Sequence, residues 1–394
     1  MKKITFVIPS RNNLEFLKLA YESIKNLGNG HEILVLDDAS IDGTTEWLSS
    51  LKDEALLVYR NDGPGRIGIV GMFDAGIKIA RTEIIMAFHA DMVAGIGLDT
   101  AILNHVTPGT VVSATRVEPP LHPEGLCKVT KNFGIEPEEF NFHDWNEWCT
   151  NPGFYEEFSG KVTEGVFAPW CMYKEDFESI GGHDELFAPQ SREDSDLFNR
   201  FLLAGYKFKQ PWDAVVYHFT SRGSRFNKHS GGSTGVDSPE WQRTNLKNEK
   251  NFIRKWGCFA IHDHYMMPII FPKYDIGIVV KNCTNHLIEI LEPWCSTLYT
   301  DADFQSYIKN QSSETTYDLN KRIFSINANV INNIEIRING NKFDDMDYEI
   351  IKSISEIIRE QSETGSFELG NMEVSIKNLE STEKTLTTIT KKGN

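Results

Sequence analysis

A histidine and an aspartate, one residue apart, follow an apolar run that is typical of a buried strand. The run EIIMAF occupies residues 83–88, and His89 and Asp91 come directly after it. A strand in a hydrophobic core has no use for an imidazole and a carboxylate at its end. Both groups bind divalent cations: carboxylate oxygens suit hard cations, and imidazole suits transition metals. The spacing therefore predicts a metal site at the end of this strand.

The elements that would position such a site alternate along the first half of the chain. Hydrophobic periodicity predicts strands at 4–9, 32–38, 55–60 and 83–88, and helices at 13–28, 44–51 and 70–80. Strands separated by helices of this length form parallel βαβ units, which bind ligands beyond the carboxyl ends of the strands. Three of these strands end in polar residues, at 9–12, at 37–38 and at 89–91. We therefore expect a ligand site along this edge.

The middle of the chain is less regular. Residues 115–165 contain several prolines and the aromatic residues Trp145, Trp148, Phe154 and Tyr155. We interpret them as an insertion whose aromatic side chains pack on the sheet. An acceptor-binding loop is the alternative, because sugar rings and bases stack on aromatic faces. Further strands are predicted at 166–173 and 214–219, and a helix at 194–204.

The pattern changes near residue 268, which predicts two domains, 1–268 and 269–394. In the second, we predict a strand at 276–282, a helical stretch near 287–291, a hairpin around Asn339-Gly340, a helix at 347–361, and a hairpin turning at Gly370-Asn371. This is the pattern of a small α/β accessory domain, and the sequence does not indicate its role.

Composition limits the classes of function. The net charge of −16 opposes binding to DNA, because phosphate contacts need Lys and Arg. Basic residues between 222 and 255 are the exception, and we interpret them as either a solvated surface or an anion-facing segment. The six cysteines form no C-x-x-C pair, which fits a reducing cytoplasm. No signal pattern and no apolar stretch of about 18 residues is found, so we expect no membrane span.

Five ordered stretches resemble family 2 glycosyltransferases, which have the GT-A fold. These stretches are FVIPSRNN, ILVLDDASIDGT, DAGIKIA with EIIMAFHAD, GGHDELFAPQSREDSDLFNRFLLAGYKF, and VVYHF. The resemblance covers about residues 1–260 and implies a Rossmann-like, mainly parallel central sheet with flanking helices. It also implies inverting transfer of a sugar from a nucleotide-sugar donor, here expected to be a UDP-sugar, with Mn²⁺ or Mg²⁺. We expect the acceptor hydroxyl to belong to a carbohydrate.

The resemblance assigns donor-binding residues to the first strand ends. Pro9, Ser10 and Asn12 match the first nucleotide-contacting loop of the family. Asp38 matches the residue that recognises the base, and a carboxylate there can accept a hydrogen bond from uracil N3–H. The alternative role for Asp38 is to cap an Asx-type turn.

The predicted metal site falls where the family carries its D-x-D motif. The resemblance makes Asp91 a metal ligand, whereas His89 replaces the first Asp and is expected to contact the ribose or to favour Mn²⁺ over Mg²⁺. His218 matches a family position that often completes the metal site, although a histidine after an apolar strand is also common in cores. The departure at His89 leaves the metal and the donor sugar open.

The resemblance also assigns the catalytic residues. Glu193 and Asp194 match the acidic pair of the family, with Asp194 as the catalytic base. Glu193 would orient the acceptor or raise the proton affinity of the base through like charge. Capping of a helix by acidic residues is the alternative. Trp170 is expected either to line the acceptor pocket or to pack in the core.

Residues 220–237 combine four glycines with the cations Arg222, Arg225 and Lys228. We predict a lid that closes over the donor diphosphate, with Arg222 and Arg225 as contacts to the donor. A disordered loop is the competing interpretation.

Three other functions remain open. A glycosyltransferase that modifies a hydroxylated base in DNA is opposed by the net charge of −16. A sugar-1-phosphate nucleotidyltransferase needs a glycine-rich loop after the first strand, and PSRNN contains no glycine. A non-catalytic nucleotide-sugar binding protein is opposed by the presence of Asp91, Asp194 and His218 together. The sequence does not indicate the oligomeric state.

Overall fold

The computed structural model describes residues 2–389, which divide into two compact units. Unit 1 comprises the described residues of Met1–Thr244, His262–Pro268 and Thr388–Asn394, and unit 2 comprises Asn245–Ile261 and Ile269–Thr387. Within residues 2–389, no helix combines the length and apolar character that a bilayer crossing requires.

Unit 1 contains two sheets and the helices around them. Its strands are β1 (Ile4–Ser10), β2 (Glu32–Asp38), β3 (Leu56–Asn61), β4 (Ile84–Ala87), β5 (Met92–Ala94), β6 (Thr110–Ser113), β7 (Thr115–Glu118), β8 (Lys128–Thr130), β9 (Val162–Thr163), β10 (Trp170–Tyr173), β11 (Lys207–Pro211) and β12 (Val215–His218). Its helices are α1 (Leu14–Lys25), α2 (Thr44–Ser50), α3 (Ile69–Ile79), α4 (Leu98–Leu103), α5 (Phe142–Thr150), α6 (Pro152–Phe158), α7 (Lys174–Ser179), α8 (Glu193–Leu203) and α9 (Pro239–Trp256), of which α9 continues into unit 2 from Asn245 onward.

The larger sheet has the strand order β3-β2-β1-β4-β10-β6-β11-β9. Strands β1 to β4 are parallel, whereas β10 runs antiparallel between β4 and β6. Nearly every residue of β1, β2 and β4 is buried, as expected for parallel strands with helices on both faces. Helices α1, α3, α4 and α8 contribute apolar side chains to the same core. The predicted mainly parallel α/β sheet is therefore confirmed.

The smaller sheet of unit 1 has the order β5-β12-β7-β8. Strand β12 pairs antiparallel with β5, which places His218 opposite Met92, and parallel with β7, which places Tyr217 opposite Val117. His218 therefore lies next to the residue that follows Asp91. The same register brings it level with Glu118, the last residue of β7.

The irregular insertion forms a second apolar cluster in unit 1. Trp145, Phe154 and Phe158 are buried in it, together with Tyr217 of β12. The prediction that these aromatic side chains pack on the sheet is confirmed for Trp145 and Phe154, while Tyr155 is exposed. Sequence periodicity did not reveal α5, α6 or β7, because each is short and interrupted by proline or polar residues.

Unit 2 is a smaller α/β unit. Its strands are β13 (Ile276–Lys281), β14 (Thr297–Thr300), β15 (Ile323–Ser325), β16 (Ile334–Asn339), β17 (Gly365–Leu369) and β18 (Met372–Ile376), and its further helices are α10 (Asn285–Leu291), α11 (Gln305–Gln311), α12 (Asp345–Lys352) and α13 (Ile354–Gln361). The order is β15-β14-β13-β16-β18-β17, with β13 to β16 parallel and β17–β18 forming a hairpin.

Two local predictions for unit 2 need correction. The predicted hairpin at Asn339-Gly340 is wrong, because β16 ends at Asn339 and the chain continues into α12. Gly340 is instead required by close packing, since a Cβ atom there would lie 2.3 Å from the carbonyl oxygen of Asn282. The helix predicted at 347–361 is two helices interrupted at Ser353. The hairpin turn at Gly370-Asn371 is confirmed.

Candidate active site

A cavity of about 230 Å³ opens at the carboxyl edge of β1, β2 and β4 in unit 1. The end of β12 and the first turn of α8 complete its wall. The predicted site residues that line it are Pro9, Ser10, Asp38, His89, Asp91, Glu193, Asp194 and His218. Tertiary structure thus places residues from five separate segments around one cleft, and the strand ends among them meet there as predicted.

Three of these residues form a cluster with the geometry of a metal site. One ligand atom each of His89, Asp91 and His218 lies within 4.8 Å of the other two. Asp91 and His218 are buried and His89 is half-buried. The Nε2 atom of His218 is 3.8 Å from Oδ2 of Asp91. This arrangement brings the three side chains within reach of a single cation.

Asp91 is held by the backbone of a distant segment. The N–H of Arg222 donates to Asp91 Oδ2 at 2.7 Å, and the N–H of Gly223 donates to the same oxygen at 3.4 Å. Asp91 is only 4% exposed. Its carboxylate orientation is therefore set by the turn that follows β12.

His218 is oriented by Glu118, a residue that sequence analysis did not single out. The Nδ1 atom of His218 lies 2.8 Å from Glu118 Oε1, which also accepts a hydrogen bond from Arg116 at 3.1 Å. Lys128 donates to the other oxygen of Glu118 at 2.7 Å. Burial alone would raise the pKa of Glu118, but the hydrogen bond from His218 and the charge of Arg116 hold it well below its usual value. A buried anion behind an imidazole fixes the ring with Nε2 toward the cluster.

His89 is kept neutral by its surroundings. Burial lowers the pKa of His89, despite the nearby charges of Asp91 and Asp194. A neutral imidazole has a lone pair available for a cation. Two imidazoles and one carboxylate suit Mn²⁺ better than Mg²⁺, which prefers oxygen ligands alone. The donor set therefore fits the metal implied by the family resemblance.

The acidic pair stands in the first turn of α8, and its two carboxyl groups differ in environment. Glu193 is 9% exposed, and its Oε2 atom has no partner among the described residues. Burial, and then the charge of Asp194, raise the pKa of Glu193 to about 8. Asp194 is half-buried and lines the cavity. The site thus offers one carboxyl group that is neutral at pH 7 beside a more exposed one.

Unsatisfied polar atoms concentrate in this cavity. In residues 2–389, six buried side-chain atoms lack a hydrogen-bond partner, and five belong to residues that line the cavity. Four of the five are on hydrogen-bond donor groups, Ser10 Oγ, Arg11 Nε, Asn13 Nδ2 and Arg66 Nε. Buried polar groups are normally satisfied, so we expect a bound ligand or ordered water to supply the missing partners here.

Asp38 lines the cavity while its oxygens bind the protein. Its Oδ1 accepts from Asn61 Nδ2 at 2.7 Å and from the N–H of Ile67 at 2.8 Å, and its Oδ2 accepts from the N–H of Gly68 at 2.8 Å. Asp38 therefore fixes the loop that carries Arg66 into the cavity.

Two of the predicted site residues, Asn12 and Trp170, lie outside this cavity. Asn12 accepts from the N–H of Ile41 at 2.7 Å and lines a neighbouring cavity of about 260 Å³. Trp170 is 1% exposed and packs in the core of the larger sheet, so it does not line the candidate pocket. This position fits the core-packing alternative for Trp170.

The two predicted donor-binding arginines also point away from the cavity. The guanidinium group of Arg222 is buried against Glu136, at 3.2 Å, and lines the neighbouring cavity. Arg225 pairs with Asp237 at 2.8 Å and stacks over the ring of Trp241 at 4.7 Å. Of the predicted lid, the residues that line the candidate pocket are Ser221, Gly223 and Ser224. Lid closure remains a prediction.

Sequence analysis missed several residues of the pocket. Glu118 ends a strand, as Asp38 does, but its strand lies in the irregular insertion and was not predicted from the sequence. Arg66 and Phe167 line the cavity without belonging to any polar strand end. No pattern in the sequence marks these two residues, because the fold of the surrounding loops brings them to the cavity.

Residues 5–158 match the family model described as glycosyl transferase family 2. The resemblance inferred from the motifs is thereby confirmed over this stretch, which carries β1 to β8 and both His89 and Asp91. No family match covers the C-terminal part of the chain, as predicted. None of the curated proteins matches the chain significantly.

Two solved structures are similar to part of the chain. One is the crystal structure of GalNAc-T7 with UDP, GalNAc and Mn²⁺, at 14% identity and TM-score 0.41, covering 55% of this chain and 43% of that one. The other is mannosyltransferase PcManGT from Pyrobaculum calidifontis in complex with GDP-Man and Mn²⁺, at 19% identity and TM-score 0.38, covering 55% and 56%. The aligned region spans about half the length of these proteins.

Proposed function

We propose that this protein is an inverting, divalent-metal-dependent glycosyltransferase. It would move a sugar from a nucleotide-sugar, most simply a UDP-sugar, to a hydroxyl group of a carbohydrate. The observation that carries the proposal is the cluster of His89, Asp91 and His218 in one cavity with Glu193 and Asp194. The family match over residues 5–158 supports it independently.

The three clustered side chains would hold the cation, which we propose to be Mn²⁺. When bound, it supplies positive charge that stabilises the nucleoside diphosphate as a leaving group. Mg²⁺ is a weaker candidate, because two of the three ligands are imidazoles. Glu118 fixes the ring of His218, and the backbone of Arg222 and Gly223 fixes Asp91.

The donor nucleotide would satisfy the unpartnered donors of the cavity. Ser10, Arg11, Asn13 and Arg66 line the cleft, and each has one buried donor atom without a partner among the described residues. A nucleoside diphosphate is rich in acceptor oxygens, so it matches this wall. Asp38 contributes by holding the loop that carries Arg66.

Asp194 would act as the catalytic base. An inverting displacement needs a carboxylate that removes the proton of the acceptor hydroxyl as its oxygen attacks the anomeric carbon. Glu193, kept neutral by burial, can donate a hydrogen bond and so orient the acceptor. The helix α8 that carries both residues is anchored by the buried Arg200, which donates to the carbonyl oxygens of Ile180 at 3.0 Å and Gly182 at 2.6 Å and pairs with Asp196 of the same helix at 2.8 Å.

We retain the division into a transferase domain at 1–268 and an accessory domain at 269–394 as a proposal.

The test is hydrolysis or transfer with a panel of UDP- and GDP-sugars, measured as release of the nucleoside diphosphate. Wild-type protein is expected to turn over at least one donor only when Mn²⁺ is added. Asp91→Ala is expected to lose that activity, while Glu22→Gln, which changes an exposed acid of α1 outside the cavity, keeps it. Binding of nucleotide without turnover of any donor would instead favour a nucleotide-sugar binding protein.

A further inference from the structure

The strongest unexplained feature near the cavity is the side chain of Arg222. It is 2% exposed, and its charge does not face the candidate pocket. Its guanidinium group donates to the carbonyl oxygens of Ile135 at 2.6 Å and Phe219 at 3.3 Å, and it pairs with Glu136 at 3.2 Å. Thr234 is a further partner. A buried arginine with this many partners locks the backbone that bears it.

Glu136 is itself held in place. It accepts a hydrogen bond from Thr234 Oγ1 at 2.6 Å and pairs with Lys228 at 3.3 Å. Burial would raise the pKa of Glu136, but the hydrogen bond from Thr234 and the charge of Arg222 lower it. The carboxylate is therefore an anion matched to the guanidinium group of Arg222.

The turn that bears Arg222 is strained. Thr220 and Ser221 have φ angles of 70° and 58°, in the left-handed region that residues other than glycine rarely adopt. Such backbone persists only where surrounding contacts hold it. This turn presents the N–H groups of Arg222 and Gly223 to Asp91 Oδ2. The strain is thus located where the backbone meets a proposed metal ligand.

We infer that Arg222, clamped by Glu136, is a positioning residue of the metal centre. Its side chain holds the strained turn 220–223, and the backbone N–H groups of that turn orient the carboxylate of Asp91. The inference rests on the proposed function, since it assumes that Asp91 is a metal ligand. It replaces the role predicted from sequence, in which Arg222 contacts the donor diphosphate directly.

The test is Mn²⁺ affinity of the full-length protein without nucleotide, from the EPR signal of free hydrated Mn²⁺. Arg222→Ala is expected to weaken Mn²⁺ binding about 10- to 100-fold, the range seen when outer partners of metal ligands are removed. Arg222→Lys keeps the positive charge but not the several N–H donors of the guanidinium group, and it is expected to lose less Mn²⁺ affinity than Arg222→Ala. The matched control is Arg225→Ala, which removes a guanidinium from the same segment and is expected to leave Mn²⁺ affinity unchanged.

A second measurement separates positioning from direct contact with the donor. UDP affinity without metal is expected to be the same in wild type and Arg222→Lys. If that substitution weakens metal-free UDP binding and leaves Mn²⁺ affinity unchanged, Arg222 is a donor contact and the inference is overturned. If Arg222→Ala does not fold, Arg222→Lys and Glu136→Gln are measured in its place. Unchanged Mn²⁺ affinity in both variants also overturns the inference that Arg222 positions the metal centre. Absence of Mn²⁺ binding in wild type overturns the metal site itself, and the inference with it.

Discussion

Glu193 and Asp194 show how two adjacent carboxyl groups acquire different properties. Both belong to the first turn of α8, where acidic side chains also interact favourably with the helix dipole. Glu193 is buried and has an unpartnered oxygen, whereas Asp194 is half-buried on the cavity wall. The capping interpretation from the sequence explains neither the burial of Glu193 nor the position of Asp194 in the cleft. Their environments fit an acceptor-orienting acid beside a base.

Replacing the proposed base tests its role directly. Asp194→Asn is expected to lower kcat for sugar transfer by about 10²- to 10⁴-fold, because the amide cannot take the acceptor proton. UDP and Mn²⁺ affinities, measured by calorimetry, are expected to stay close to wild type. A variant that retains normal kcat would show that another group removes the proton.

The burial of Glu193 predicts a pH dependence of stability. Its pKa is raised to about 8 in the folded protein, so between pH 4.5 and 8 the folded state binds a proton that the unfolded state releases. This contribution to stability is fully present below pH 4.5 and is lost as pH rises toward 8, by at most about 1.4 kcal/mol per pH unit.

Glu193→Gln removes this proton-binding difference. Its stability relative to wild type is expected to increase from pH 5 to pH 8, measured as free energy of unfolding in urea at each pH. A difference that stays constant with pH would contradict the raised pKa of Glu193.

At the scale of elements, strand register builds the proposed metal site. The pairing of β12 with β5 and β7 sets His218 beside Asp91 on one side and Glu118 on the other. Strand β8 then adds Lys128 behind Glu118, because Lys128 lies opposite Arg116. The polar groups behind the imidazole come from strands that sequence patterns did not reveal. A shift of one residue in β12 would turn His218 to the other face of this sheet.

The outer partner of His218 is therefore testable. Glu118→Gln is expected to weaken Mn²⁺ binding about tenfold, because the charged acceptor that orients the imidazole and raises its basicity is lost. Lys128→Met, which removes a partner of Glu118 without touching His218, is expected to have a smaller effect. Mn²⁺ titration followed by EPR measures both, and equal affinity in Glu118→Gln and wild type would exclude the orienting role.

At the scale of the whole molecule, charge bears on the choice of acceptor. The net charge is −16, and several basic residues of the 222–255 segment pair with acidic side chains. Arg222 pairs with Glu136, Arg225 with Asp237, and Arg254 with the buried Glu292 of unit 2 at 2.7 Å. Arginines that are paired in this way are not available to bind the phosphates of a DNA acceptor. The charge distribution therefore disfavours DNA, and a carbohydrate remains the proposed acceptor.

Filter binding tests this conclusion. The protein is expected to retain no duplex DNA even at about 50 mM salt, because its net charge of −16 repels the phosphates. Duplex with hydroxylated bases should behave as unmodified duplex does. Retention that falls steeply with rising salt would restore the DNA-modifying alternative.

Hydrophobic periodicity and strand-end chemistry were enough to predict from the sequence the parallel core of unit 1 and the cleft at its carboxyl edge, with Asp91 in it. The resemblance to family 2 glycosyltransferases was needed to assign Asp194 and His218 to the same site. The core and the cleft depend on local patterns, since a buried strand or helix is marked by its own residues. Tertiary structure alone decided that Glu118 stands behind His218, that Arg222 turns away from the cleft, and that Trp170 is buried. It also decided that residues 262–268 and 388–389 belong to unit 1. Such features arise from lateral register and long-range packing, which join residues far apart in the chain and leave no local pattern.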